Sequence, residues 1–136
     1  MITITAKFLE AHPTFIFVFG DNILRVGHGG AAALRDIPNT YGFITKIRPD
    51  NDDSSFFTKE EYGTTLDYEI SLLTDFIDRT TVEVFDYFLI SKLGAGLANK
   101  YDIWGLIEPK LAELNDRYDE VVLLYGDDEN VAQNIY

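Results

Sequence analysis

Cysteine is absent from this 136-residue chain, so no disulfide framework, thiol nucleophile or cysteine zinc site is available. A reducing, cytoplasmic setting is expected. Basic residues are scarce, with 11 Lys and Arg against 23 Asp and Glu, for a formal charge of −12. That balance argues against a general nucleic-acid binder, which needs a basic face to displace counterions from phosphates. No apolar run approaches transmembrane length, so no membrane partner is expected. The opening Met1-Ile2-Thr3-Ile4-Thr5 alternates like a strand and lacks the basic and long apolar regions of a signal peptide. The composition is otherwise that of a soluble globular protein, 46% hydrophobic and 14% aromatic, at a length typical of one domain spanning 1–136. Oligomeric state is not legible in it.

The few cations are unevenly placed. Residues 21–48 hold Arg25, Arg35, Lys46 and Arg48 against Asp21 and Asp36, and residues 91–100 hold Lys92 and Lys100 with no acid. Each window is therefore +2, which leaves −16 on the rest of a chain whose total is −12. Both windows contain glycine-rich loops, the arrangement a pocket for a small anion would need on an acidic protein. Acids clustered on solvated helices would give the same count without a pocket.

Apolar and amphipathic runs alternate, the signature of an α/β domain with strands sandwiched between helices. Strands are expected at 2–5, 14–19, 41–46, 83–90 and 121–125. Phe15-Ile16-Phe17-Val18-Phe19 is apolar without alternation and predicts a central strand buried on both faces. Helices are expected at 29–36, 59–79, 101–116 and 128–135, with a short turn at 7–11. Thr58 and Glu61 have capping-box spacing; Gly63 predicts a break in that helix and Pro109 a kink or restart in the next.

Two stretches carry the candidate chemistry. In Phe17 to Asp36 a strand leads through Gly27, Gly29 and Gly30 into Ala31-Ala32-Ala33, predicting a tight loop and a helix N-terminus suited to a phosphate or diphosphate. It matches neither a P-loop nor a dinucleotide fingerprint. In Ile90 to Lys100 a second strand enters a loop with Gly94 and Gly96. Two such loops at strand ends point to one crevice, where Asn22 would bond a sugar hydroxyl. Asp21 would activate water or hold the loop backbone; His28 would act as a general acid or base, or make a plain polar contact. Asp127-Asp128-Glu129 lacks metal-ligand spacing, so no metal is expected.

Asn22 followed by His28-Gly29-Gly30-Ala31-Ala32-Ala33-Leu34 resembles the first ligand loop of the macrodomains, which bind ADP-ribose; viral members often carry a histidine there. Tyr41-Gly42-Phe43-Ile44-Thr45-Lys46, and Leu93-Gly94-Ala95-Gly96-Leu97 with Trp104 and Ile107 beyond, are similar to segments of the ADP-ribosyl-glutamate hydrolase subclass. Val121-Val122-Leu123-Leu124-Tyr125 resembles the final strand with its ligand-packing aromatic. The resemblance implies a three-layer α/β/α sandwich with a central mixed sheet. It implies ligand contacts from Gly20, Asn22, Gly27, His28, Gly29, Gly30, Ala31, Arg35, Thr45, Leu93, Gly94, Ala95, Gly96, Leu97 and Tyr125. The partner it implies is an ADP-ribose-type small molecule or an ADP-ribosylated macromolecule, with no cofactor. The subclass lysine nucleophile and second-loop aspartate correspond to Arg35 and Ala98, and the aspartate of another hydrolase class to Ala32. Arginine stays protonated and alanine carries no proton, so that covalent mechanism does not carry over. Binding of ADP-ribose is the leading expectation. Hydrolysis of an ADP-ribosyl linkage or ADP-ribose derivative through Asn22, Asp21 and His28 is the alternative, and an acidic interaction or inhibitor protein the third.

Overall fold

The computed structural model describes residues 2–80 and 85–135. Four strands, β1 (Phe15–Asn22), β2 (Thr40–Lys46), β3 (Tyr87–Ile90) and β4 (Val121–Leu123), form one sheet in the order β2-β1-β3-β4. Every pairing among the described residues is parallel, which corrects the expected mixed sheet. The reason lies in the connections: α2 (Lys59–Thr80) links β2 to β3 and α3 (Trp104–Arg117) links β3 to β4, and a helical crossover returns the chain in the same direction. Residues 83 and 84 of the expected strand 83–90 lie outside the described residues.

Side chains of β1 alternate between two cores, which is why the run has no polar positions. Ile16 and Val18 join Phe88, Ile90, Leu73, Ile77, Ile107 and Leu111 on the face covered by α2 and α3. Phe15, Phe17 and Phe19 join Leu89, Val122 and Leu124 on the other face, under α1 (Ala6–Ala11) and α4 (Glu129–Ile135). The chain is therefore an α/β domain with helices packed on both faces of its sheet.

The capping box forms as read: Glu61 N–H donates to Thr58 Oγ1 at 3.2 Å and Thr58 N–H to Glu61 Oε1 at 3.1 Å. Other expectations are corrected. Ile2 and Ile4 are buried, but residues 2–5 make no ladder; the segment instead ends in Thr5, whose hydroxyl caps α1. The helix expected at 29–36 is a five-residue 3-10 turn, Gly30–Leu34, because Pro38 lies too close for an α-helix to develop before β2 begins. α2 runs unbroken through Gly63. α3 starts at Trp104, since Asp102 takes a left-handed φ of 60° after a separate 3-10 turn, Leu97–Tyr101. It then passes through Pro109 without a break, although proline has no N–H to give to the carbonyl of Gly105.

β2 is an edge strand, and α2 closes it. Glu69, buried at 5% exposure, accepts the Ile44 N–H at 2.7 Å, and the Tyr62 hydroxyl donates to the Ile44 carbonyl at 2.5 Å. Replacing Glu69 by Ala leaves that N–H buried and unpaired. We expect Glu69→Ala to lower the unfolding free energy by about 1 to 3 kcal/mol in a denaturant titration, with a smaller loss for Glu69→Gln, whose amide oxygen still accepts.

Candidate ligand cleft

From β1 the chain crosses to β2 on one side, while β3 leads to β4 on the other, so the carboxyl ends of β1 and β3 flank the point where the winding reverses. A parallel sheet leaves a crevice there. The crevice is a cleft of about 420 Å³ walled by both glycine loops. Of the residues expected to contact ligand, Gly20, Asn22, Gly27, Gly29, Gly30, Ala31, Thr45, Leu93, Gly94, Gly96 and Leu97 line it, as does Asp21. Ala95 does not; Tyr125 lines a second cavity of about 350 Å³, whose walls include Ile2, Ile4, Phe17, Leu34 and Leu124. The two cavities share Gly30, Ala31, Ser91 and Lys92.

β1 extends to Asn22 because Gly20, Asp21 and Asn22 pair with Phe43, Ile44 and Lys46, with a register shift between Asp21 and Asn22. That extension buries Asp21 at the strand end. Its Oδ1 accepts Arg35 Nη2 at 2.7 Å and the Asn22 N–H at 2.8 Å; its Oδ2 accepts Arg35 Nη1 at 2.9 Å and Arg25 Nη1 at 3.1 Å. Burial alone would push the carboxyl up, but the Arg35, Asn22 and Arg25 hydrogen bonds outweigh it and hold the group below its ordinary range. Arg25 adopts φ 58°, a left-handed conformation costing about 1 to 3 kcal/mol, and is fixed by bonds to Asp21 and to the Gly42 carbonyl at 2.6 Å. A Cβ on Gly42 would lie 2.3 Å from Asp21 Oδ2, so only glycine leaves room for this pair.

These contacts match the structural alternatives read for Asp21 and His28 and give Arg35 a partner within the protein. Asp21 has four donors already on its two oxygens and is a structural anchor rather than a base for water. Arg35 turns away from the cleft, clamping Asp21 and donating to the carbonyls of Gly27 at 2.9 Å and Val26 at 3.1 Å. His28 is exposed outside the cleft lining, with Nε2 3.0 Å from Asp36 Oδ2, so it is not positioned to move a proton at the ligand. Asn22 Nδ2 donates to the Val26 carbonyl at 2.8 Å, bracing the loop, while its Oδ1 is buried with no partner among the described residues. Gly94 answers to packing: at φ +75° its added Cβ would meet Ile107 Cδ1 of α3 at 2.6 Å. The 3-10 turn after Gly29 is too short to sum a helix dipole, so anion attraction there is not a macrodipole effect. Asp128 serves β4, accepting the Leu123 N–H at 2.9 Å.

The residues expected to contact ligand omitted the pair of ammonium groups in the cleft wall, Lys46 and Lys92, although both stood in the +2 windows. Lys46 donates to the Asp50 carbonyl at 2.8 Å and lies 4.5 Å from the Phe56 ring centroid; burial draws its pKa down, against the opposing pull of Asp50. The +2 charge windows were the signal for both. The apolar cavity was hidden because Ile2 and Ile4 read as strand positions, whereas they form a wall.

Two outcomes test the anchor. Arg35→Ala should destabilise the fold by about 3 kcal/mol, since it strips a buried carboxylate of its bidentate partner; equilibrium unfolding measures this. Because the folded-state pKa of Asp21 is depressed, its contribution is fully present above about pH 4 and is lost as pH falls through that lower value. The stability gap between wild type and Asp21→Asn should accordingly hold above about pH 4 and narrow as the pH falls below it.

Residues 2–99 match a family model described as a family of unknown function, DUF7831. No curated protein and no solved structure matches the chain. The matched span carries β1, β2, β3 and both glycine loops, and it ends inside the 3-10 turn that precedes α3. With that much of its length covered, the chain belongs to the DUF7831 family.

Proposed function

We propose that the protein is a three-layer, macrodomain-like module that binds ADP-ribose or a related ADP-ribose-containing nucleotide, free or attached to a macromolecule, in the cytoplasm. The observation that carries this reading is the pairing of cavities. A glycine-walled cleft with two ammonium groups adjoins an apolar cavity of about 350 Å³, and the two share Gly30, Ala31, Ser91 and Lys92 in their walls. A nucleoside diphosphate has that same division, an anionic centre flanked by a sugar and a flat, largely apolar base. Glycines permit backbone N–H groups to approach phosphate oxygens, and the loop order along the chain agrees with the macrodomain resemblance.

Binding is favoured over hydrolysis by the state of the polar side chains. Asp21 is saturated, His28 is paired with Asp36 away from the cleft, and Arg35 is committed to Asp21. Of the residues the hydrolysis reading needs, Asp21 and His28 are thus engaged elsewhere, and Asn22, whose Oδ1 has no partner among the described residues, carries no group that takes a proton from water. The third reading, an acidic protein that captures a basic partner, has no feature of the cleft in its support.

Calorimetry or thermal shift with ADP-ribose, NAD and cyclic ADP-ribose tests the proposal; no response to any of them at millimolar ligand overturns it. Gly30 gives a sharper version. It lines both cavities at φ +57°, and an added Cβ would meet no protein atom within 4 Å. Gly30→Val should abolish binding by projecting into ligand space, at a local cost of about 1 to 3 kcal/mol from the left-handed backbone. Asn22→Ala should weaken binding by up to about tenfold. If the Asn22 change proves the worse of the two in folded proteins, the phosphates do not lie on this loop.

A further inference from the structure

Neither ammonium of the cleft, Lys46 or Lys92, lies within 4.0 Å of a carboxylate among the described residues, and Lys92 is the one that also lines the apolar cavity. Arg25, Arg35, Arg48, Lys59, Arg79 and Lys100 each lie within 4.0 Å of a carboxylate, whereas Lys92 makes no such pair among the described residues. It is exposed, and its Nζ sits 5.3 Å from the centroid of the Trp104 ring. The Trp104 ring is itself edge-on to Tyr125 at 5.3 Å, and its backbone N–H donates to Asn99 Oδ1 at 2.8 Å. The lysine is thus held on an aromatic platform in the wall that the apolar cavity and the glycine cleft share, and among the described residues it is the one charged side chain lining both. Lys46, the other ammonium of the cleft, lies outside the apolar cavity and donates to the Asp50 carbonyl.

We propose that Lys92 is a specificity-determining residue that pairs with an anionic group borne directly on the part of the ligand seated in the apolar cavity. The ligand class this selects is a nucleoside carrying a 5′-phosphate or diphosphate, in preference to the uncharged nucleoside. The inference rests on the nucleotide-binding reading above, and it concerns where along the ligand the charge is read. An ammonium facing a phosphate makes a charge-assisted contact stronger than a neutral hydrogen bond, and it gains further where the acidic remainder of the chain offers no rival cation.

The test is calorimetry on the full chain with ADP-ribose, ADP, AMP and adenosine, using wild type, Lys92→Gln and Lys92→Arg. Lys92→Gln should weaken ADP-ribose, ADP and AMP by about tenfold and leave adenosine unchanged. Lys92→Arg should restore most of the loss, and added salt should weaken wild-type binding more than that of Lys92→Gln. The melting temperature without ligand should not move, because the side chain is exposed. Equal binding of ADP-ribose by wild type and Lys92→Gln overturns the role of Lys92 while the nucleotide reading stands. A loss shared equally by adenosine also overturns it, since that would mark packing rather than charge. If wild type binds neither ADP-ribose nor ADP at millimolar concentration, both fall together.

Discussion

One carboxylate organises the end of the sheet. Asp21 is taken out of water at the last turn of the central strand, and a buried anion without partners would cost more than the domain could tolerate. Two guanidinium groups and a backbone N–H meet it. Because Arg25 comes from the loop just after β1 and Arg35 from beyond the 3-10 turn, satisfying one charge fixes the course of the whole first glycine loop. Arg35 also donates to the carbonyls of Val26 and Gly27, so the loop backbone is tied to the same guanidinium that meets the carboxylate. The cleft has a shaped wall because the polar atoms beneath it are already engaged.

That arrangement decides what chemistry is left for a ligand. Side-chain carboxylates and the imidazole are consumed by structure, so the cleft offers backbone, a few hydroxyls and amides, and two ammonium groups. On the binding proposed above, such a surface would discriminate by shape and charge. On a chain of net charge −12 these ammonium groups form a local exception, and a compact anion with a neutral or apolar remainder suffers less from the surrounding acids than an extended polyanion would.

Much of the fold was legible. Phe15 to Phe19 announced a strand buried on both faces because no polar residue could be tolerated on either, and Thr58 with Glu61 marked the start of α2 because a capping box is a local interaction. The pair of glycine loops located the crevice. What failed were features whose outcome depends on distant partners. Ile2 and Ile4 alternate as strand residues do, yet alternation reports burial of one side and not the existence of a neighbouring ladder. The three alanines after Gly30 have high helix propensity, but the distance to β2 left room only for a tighter turn. Arg35 and His28 looked like cleft residues from their position in a loop motif; only the three-dimensional placement of Asp21 and Asp36 reveals where their charges go.

The closing of β2 by α2 has a consequence for assembly. An exposed parallel edge is a template on which another chain can lay a strand, and natural sheets need some device to prevent it. Here the outward N–H and carbonyl of Ile44 are already occupied by Glu69 and Tyr62, whose helix lies along that side. A strand arriving at that point would have to displace a buried carboxylate and a buried phenol before making its first bond. On this flank the sheet is finished at four strands by side chains rather than by a fifth strand, and contacts with other proteins there must be made through helix surfaces.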